Sequence, residues 1–225
     1  MYERWGKRAL DVACAMFLLL FLAPVVAATA LAVRLALGRP VLFRQVRLGR
    51  GGVPFVLMKF RSMREGEAPD ADRLGRFGRV LRASALDELP QLLHVLRGEM
   101  SLVGPRPLLP DDVAHYTPRQ RSRLRVRPGM TGLAQTEGRN AVPWERRLEF
   151  DARYAERVTL RGDLAILLRT PALLLRGRGV SAPGEATMPR FKAAPAEAQG
   201  PCHKSEVELR QENGLIERQF RRDPC

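Results

Sequence analysis

Lysine is almost missing from this chain: of 38 basic residues, only Lys7, Lys59, Lys192 and Lys204 are lysine. Aromatic residues make up only 6% and do not interleave with the arginines. That excludes a stacking platform of the kind that binds single-stranded nucleic acid, and no nucleic-acid partner is expected. The three cysteines, Cys14, Cys202 and Cys225, have neither metal-ligand spacing nor the pattern of a disulfide framework. Their sparseness fits a reducing compartment. Of the three histidines, His94 falls inside a leucine-rich helical pattern and reads as structural, and His115 and His203 have no evident partners.

What the chain does have is positive charge. Its 225 residues carry a formal +14, and phosphorylated substrates, an anionic membrane surface and nucleic acid all suit such a surface. The arginine bias also follows genomic base composition, so net charge alone does not choose among them. The length suffices for one domain with appendages.

A basic start, Arg4, Lys7 and Arg8, precedes an uncharged run from Val12 to Val33, about 22 residues and long enough to cross a hydrocarbon core. It is too long, and lacks the cleavage site, for a removed signal. Arg34, Arg39, Arg44 and Arg47 follow it, so both flanks favour the cytoplasm. Pro24 sits near the middle, where it breaks a backbone hydrogen bond. A re-entrant hairpin that enters and leaves on one face satisfies both facts; a single-pass span is the competing reading. Asp11 is expected to pair with Lys7 or Arg8 at the interface.

Val41 to Arg47 and Val53 to Arg61 read as two strands joined by Gly49-Arg50-Gly51-Gly52. Period two puts Phe55, Leu57, Lys59 and Arg61 on one face, where Lys59 and Arg61 either grip one diphosphate or edge a solvated strand. Arg73 to Ala83 reads as a helix packing through Leu74, Phe77, Val80 and Leu81, with Arg79 and Arg82 nearest the stretch that follows. Asp111 to Arg123 reads as helical, Leu133 to Thr136 as a short strand, Trp144 to Arg157 as a helix. Leu160 to Leu175 is an apolar run interrupted by Pro171, lying in the membrane interface or packing on the core. After Val180 the composition turns to small and polar residues that cannot bury enough surface to order.

At the centre stands Ser84 to Pro107. Ser84 is a good N-cap, Leu86, Leu89, Leu92, Leu93 and Leu96 follow at helical spacing, and Gly98 offers a stop. One amphipathic helix is expected, with Asp87 and Glu88 in its first turn. Those carboxylates are either a commonplace capping feature or the chemistry. Gly104-Pro105-Arg106-Pro107 holds a single arginine between two prolines, a stiff candidate anion clamp.

Together, Lys7-Arg8, the proline-broken apolar segment, PVLFRQVRLGRGGVPFVLMKFRSM, LRASALDELPQLL, MSLVGPRPL and RPGMTGLAQTEGRN resemble the bacterial sugar transferases of the monotopic polyprenyl-phosphate phosphoglycosyl transferase family. The resemblance covers about Lys7 to Leu175. It implies transfer of a sugar 1-phosphate from a UDP-sugar to polyprenyl (undecaprenyl) phosphate at the cytoplasmic face of the bacterial inner membrane. Such a step initiates an exopolysaccharide, O-antigen, capsule or glycoprotein glycan, with Mg2+ and a phospho-aspartyl intermediate. By position, Asp87 and Glu88 match the family's acidic pair, Asp87 as nucleophile and Glu88, with Asp87, as the metal ligands. Lys59, Arg61, Arg82, Arg106 and Arg139 are the expected phosphate contacts, and Pro24 the membrane kink. Ala23 departs from the hydroxyl residue that often precedes that proline, and nothing after Val180 has a counterpart.

The expected fold is α+β and mostly helical. A re-entrant membrane helix-break-helix (residues 1–38) precedes a cytosolic and interfacial catalytic domain with amphipathic interfacial helices and a small β-hairpin (39–180). A mostly disordered tail (181–225) follows. Two rival readings remain: direct displacement with Asp87 as general base, and a membrane-anchored basic scaffold that binds anionic lipid or nucleic acid without catalysis. The sugar and the glycan are not readable, and a homodimer is left open.

Overall fold

A computed structural model of the chain describes residues 2–138 and 142–176, together with Phe191, 211–212 and 215–216. The chain divides into two units, Met1–Lys192 and Ala193–Cys225. The second contributes one described feature, an antiparallel pairing of Gln211–Glu212 with Leu215–Ile216; the expected disorder of 181–225 otherwise lies outside the described residues.

The first unit opens with a π-helical turn, Tyr2–Gly6, that runs into α1 (Lys7–Phe21). One residue, Leu22, separates it from α2 (Ala23–Leu37), and its φ of −91° and ψ of 3° leave helical geometry. Pro24 falls in the first turn of α2, where its missing N–H has no intrahelical partner to lose. The two axes meet at a 63° bend. Among the described residues no single helix is long and apolar enough to cross a membrane; only this bent pair reaches the required length and composition together. Each helix buries one stripe, Asp11 and Ala15 on α1, Thr29 and Val33 on α2, and exposes Phe17, Leu20, Phe21, Leu31 and Leu35.

Asp11 does not pair with Lys7 or Arg8. It turns inward and accepts from the Ser101 hydroxyl and the Leu102 amide, both at 3.0 Å. Lys7 instead pairs with Asp163 at 2.7 Å, and Arg8 donates to the Val95 and Leu96 carbonyls. The basic residues that flank the apolar run thus bolt it to the globular core.

The expected hairpin is present as β1 (Leu42–Leu48) and β2 (Pro54–Phe60), antiparallel with Phe43 opposite Lys59 and Arg47 opposite Phe55. Helices α3 (Asp70–Arg73) and α4 (Arg76–Ala83) replace the single helix expected from Arg73, because the backbone extends at Gly75. Gly78 of α4 lies against the Ser62 carbonyl, where any Cβ would overlap. Val80, expected to pack, is 69% exposed.

The central stretch is not one helix either. Ser84 closes α4, bonding back to the Val80 and Leu81 carbonyls. A 3-10 turn, Leu86–Gln91, then carries Asp87 and Glu88, and α5 (Leu92–Arg97) follows, ended by Gly98 at a φ of 84°. Strand β3 (Ser101–Val103) pairs in parallel with β4 (Gly129–Thr131). The polar connection between them is broken into 3-10 turns and α6 (Pro118–Arg121), with Pro110 and Pro118 each restarting the chain. Leu133–Thr136, expected as a strand, is the helical turn α7. The unit closes with α8 (Trp144–Glu156) and α9 (Leu160–Arg176), which runs through Pro171 without interruption.

The main core gathers Ala15 of α1, Phe55 and Leu57 of β2, Leu92 and Val95 of α5, Met100, Leu102 and Val103 around β3, Tyr154 of α8 and Ile166 of α9. Helix α9 buries Asp163 and Ile166 and turns Leu160, Leu164 and Leu168 outward. The architecture is α+β and mostly helical, as the sequence pattern implies.

Candidate active site

Asp87 owes its direction to Ala85, whose φ of 56° places a non-glycine residue in the left-handed region. Such a conformation costs of order 1–2 kcal/mol and persists only where its surroundings enforce it. The reversal ends α4 and lays the Leu86–Gln91 turn along β2. Asp87 is therefore buried, 4% exposed, with Lys59 of β2, Arg82 of α4 and Arg106 as its cationic neighbours.

Burial, and then the charge of Glu88, push the Asp87 carboxyl up to about 6, while Lys59, Arg106 and Arg82 pull it back. Burial likewise lowers Lys59 and Arg82, opposed by Asp87. A carboxylate that is ionised at neutral pH yet poorly solvated is suited to nucleophilic attack on phosphorus. The Lys59 ammonium lies 5.3 Å from the Phe43 ring, and Arg82 donates to the Ser62 hydroxyl at 2.9 Å. Both line a cavity of about 1130 Å³ whose other walls include Phe43, Arg64 and Arg73.

Arg106 reaches the acidic pair from the other loop. Its Nη2 donates to Glu88 Oε1 at 2.6 Å, and Glu88 holds the guanidinium above its ordinary value. The Gly104–Pro107 backbone is stitched to its neighbours: Gly104 N to the Thr131 carbonyl at 2.8 Å and Gly129 N to the Pro105 carbonyl at 2.9 Å. The two strands approach so closely here that a Cβ on Gly104 or Gly129 would overlap backbone. Arg123, buried and paired with Asp151 at 2.7 Å, donates to the Arg106 carbonyl at 2.6 Å. The clamp suggested by the two prolines is thus rigid for a further reason, long-range backbone pairing.

Lys59, Arg82, Arg106, Asp87 and Glu88 come together. Arg61 borders the cavity but is tied back to the Leu37 carbonyl and to Glu65 at 3.0 Å. Arg139 lies outside the described residues. Sequence reasoning missed the support from Asp163, 1% exposed. It accepts from Tyr2 at 2.6 Å and Lys7 at 2.7 Å, and Tyr154 lies 2.7 Å from it and 3.0 Å from the Val103 carbonyl. That chain of contacts runs from the N-terminal element to the strand that presents Arg106, and no local pattern announces it.

A buried carboxylate among cations, with a bent apolar helix pair in the same unit, suits the transfer of a phosphorylated group. Residues 2–177 match the bacterial sugar transferase family, and the chain belongs to that family. It is 44% identical over 191 residues to the uncharacterized sugar transferase EpsL of Bacillus subtilis, covering 82% of this chain and 95% of that one. It is also 44% identical over 185 residues to the UDP-glucose:undecaprenyl-phosphate glucose-1-phosphate transferase of Caulobacter vibrioides, 75% of this chain and 69% of that protein. The Escherichia coli K12 protein of the same description is 38% identical over 187 residues, 75% of this chain and 40% of its own length.

Proposed function

We propose that this chain transfers a sugar 1-phosphate from a UDP-sugar to undecaprenyl phosphate, opening the synthesis of a polysaccharide. The observation that carries the reading is the burial of Asp87 between Lys59, Arg82 and Arg106. The names of the Caulobacter and Escherichia coli relatives supply the substrate class.

An oxygen of the Asp87 carboxylate attacks the phosphorus that bears the sugar. The new O–P bond forms as the phosphoanhydride bond breaks, and UMP departs with the bonding electron pair. An oxygen of the lipid phosphate then attacks the acyl phosphate, forming the sugar-bearing diphosphate and returning Asp87 to its carboxylate. Anion attacking anion is opposed by charge, so Lys59, Arg82 and Arg106 work by neutralising the transferred phosphoryl group. Glu88 and Asp87 also fit a divalent ion: their mutual repulsion raises Asp87, and Mg2+ takes one or two carboxylates with phosphate oxygens and waters. The described residues offer no set of three metal-binding side chains, so the substrate would complete that shell. Bound there, Mg2+ would add its charge to that of the arginines.

The α1–α2 pair acts as a re-entrant hairpin at the cytoplasmic face of the inner membrane. Basic residues at both ends, the 63° bend and the exposed Phe17, Leu20, Phe21, Leu31 and Leu35 support this. The outward leucines of α9 would rest on the same surface. A cysteine at position 2 should resist an impermeant thiol reagent in intact cells; labelling there would mean that the segment spans.

The test is purified protein in nanodiscs with Mg2+, undecaprenyl phosphate and a panel of UDP-sugars. One sugar should yield UMP and a lipid-linked sugar diphosphate. Absence of product with every donor, alongside steeply salt-dependent binding to anionic vesicles or nucleic acid, would favour the scaffold instead.

A further inference from the structure

Arg147, on α8, is 5% exposed, and its Nη1 has no hydrogen-bond partner among the described residues. Its guanidinium carbon lies 4.7 Å from the centre of the Trp144 ring. Arg106, Asp151 and Arg123 are the charged groups that influence it. Asp151 is committed, accepting twice from Arg123, at 3.1 and 2.7 Å. Burial first, and Arg106 next, pull Arg147 down to about 10. Its one anionic neighbour among these, Asp151, is thus shared with Arg123, and the Arg147 Nη1 is left without a hydrogen bond among the described residues.

Two further groups share the condition. Gln135, on the turn α7 that packs against α8, is 9% exposed, and both atoms of its amide are unpartnered among the described residues. Its amide oxygen lies against Gly132, which itself packs on the Gly104 carbonyl. Arg47 donates to the Pro107 carbonyl at 3.3 Å but leaves a buried Nε unpaired, and burial first, then Arg106, lower it as well. Two guanidiniums, those of Arg47 and Arg147, and the Gln135 amide thus carry unmatched polar atoms, and Arg106 is a charge neighbour of both arginines. Leaving buried donors unmatched is unfavourable unless a ligand completes them, and a charged donor more so than a neutral one. Lys59 takes its leading charge neighbours from Asp87, Arg82, Glu88 and Arg106, whereas Arg147 takes its own from Arg106, Asp151 and Arg123.

We propose that Arg147 and Gln135, with Arg106, form a second anion subsite on the Glu88 side of the acidic pair, taking a phosphate monoester or the matching phosphoryl group of a diphosphate. The idea rests on the transferase reading and deepens it: one phosphoryl group reacts at Asp87 while a second is held here. Two sources share this chemistry, the nucleotide phosphate that departs and the lipid phosphate that arrives. A planar guanidinium engages either through paired hydrogen bonds.

The experiment is calorimetric titration of the full chain in nanodiscs with UMP, with a short-chain polyprenyl phosphate and with inorganic phosphate. Wild type, Arg147→Gln, Arg147→Lys and Gln135→Leu are compared, and each is unfolded thermally without ligand. Arg147→Gln should weaken at least one probe by about tenfold or more, as expected for loss of a charge-assisted hydrogen bond. Arg147→Lys should recover part of the loss, and Gln135→Leu should weaken the same probe. The unfolding temperature of Arg147→Gln should hold or rise, since an unmatched buried cation has been removed; a merely structural arginine would show the opposite. Loss confined to UMP assigns the subsite to the donor, and loss confined to the lipid assigns it to the acceptor. Phosphate binding lost in Arg147→Gln, from a wild type without sugar transfer, would keep the subsite and reject the transferase reading. Unchanged affinity for all three probes in Arg147→Gln, or a wild type that binds none of them, would overturn the proposal.

Discussion

Replacing Asp87 by Asn should abolish sugar transfer and, at pH 8, make the protein more stable. Asn imitates the protonated acid, and protonation is what the buried site favours: the carboxyl rises from 3.8 to about 6 on folding. Between those values the folded protein keeps a proton that the unfolded chain has released, so wild-type stability falls as pH rises through that window. At about 1.4 kcal/mol per tenfold change in proton affinity, the full cost above pH 6 is roughly 3 kcal/mol. For a chain of this size that corresponds to a rise of about 6–12 °C in unfolding temperature for Asp87→Asn. The assay is thermal unfolding of both proteins in one detergent from pH 4 to 8, without donor and with divalent ions chelated. The gap should be widest above pH 7 and close toward pH 4. A variant less stable than wild type at pH 8, or a gap indifferent to pH, would refute the claim that burial holds this carboxylate in an unfavourable charged state.

Asp163→Asn removes the partner of Lys7 from a site 1% exposed, and breaking a buried ion pair should cost about 3–5 kcal/mol, measured by the shift in unfolding midpoint. Gly104→Ala forces a Cβ into the Arg127 carbonyl; the expectation is a loss of about 1–3 kcal/mol or more on the same assay, with transfer falling because the Arg106 loop moves. Arg106→Lys keeps the charge but not the forked geometry that meets Glu88 at 2.6 Å. Its turnover should fall on the order of 10²-fold, with little change in thermal unfolding.

The elements whose signals are local were legible. The β1–β2 hairpin follows from two alternating runs around a glycine cluster, and α8 from helical spacing bounded by Pro143. The leucine spacing from Leu86 to Leu96 suits one helix equally well as a 3-10 turn followed by α5, and Pro90 is the one local mark of the break. The left-handed Ala85, which tertiary packing enforces, was not visible. The β3–β4 pair is parallel and joins segments far apart in the chain, so no hairpin turn announces it, and three residues give no strand periodicity. Asp11 was assigned to its sequence neighbours because nothing local points to Ser101, 90 residues away. The acidic pair and Lys59, Arg82 and Arg106 were nameable by type and by family resemblance. Arg123 and Arg147 were not, because an arginine in a helical pattern looks solvated until the fold shows it buried.

Covalent loading of Asp87 is what separates the two-step mechanism from direct displacement. Incubation of the purified enzyme with Mg2+ and its UDP-sugar, without lipid acceptor, followed by intact-mass and peptide mass spectrometry, measures this. One sugar-phosphate adduct per chain should appear on the peptide containing Asp87, with UMP released in equal amount and no adduct in Asp87→Asn. An enzyme that turns over with acceptor present, yet shows neither the adduct nor UMP release without it, would contradict the account and favour direct displacement.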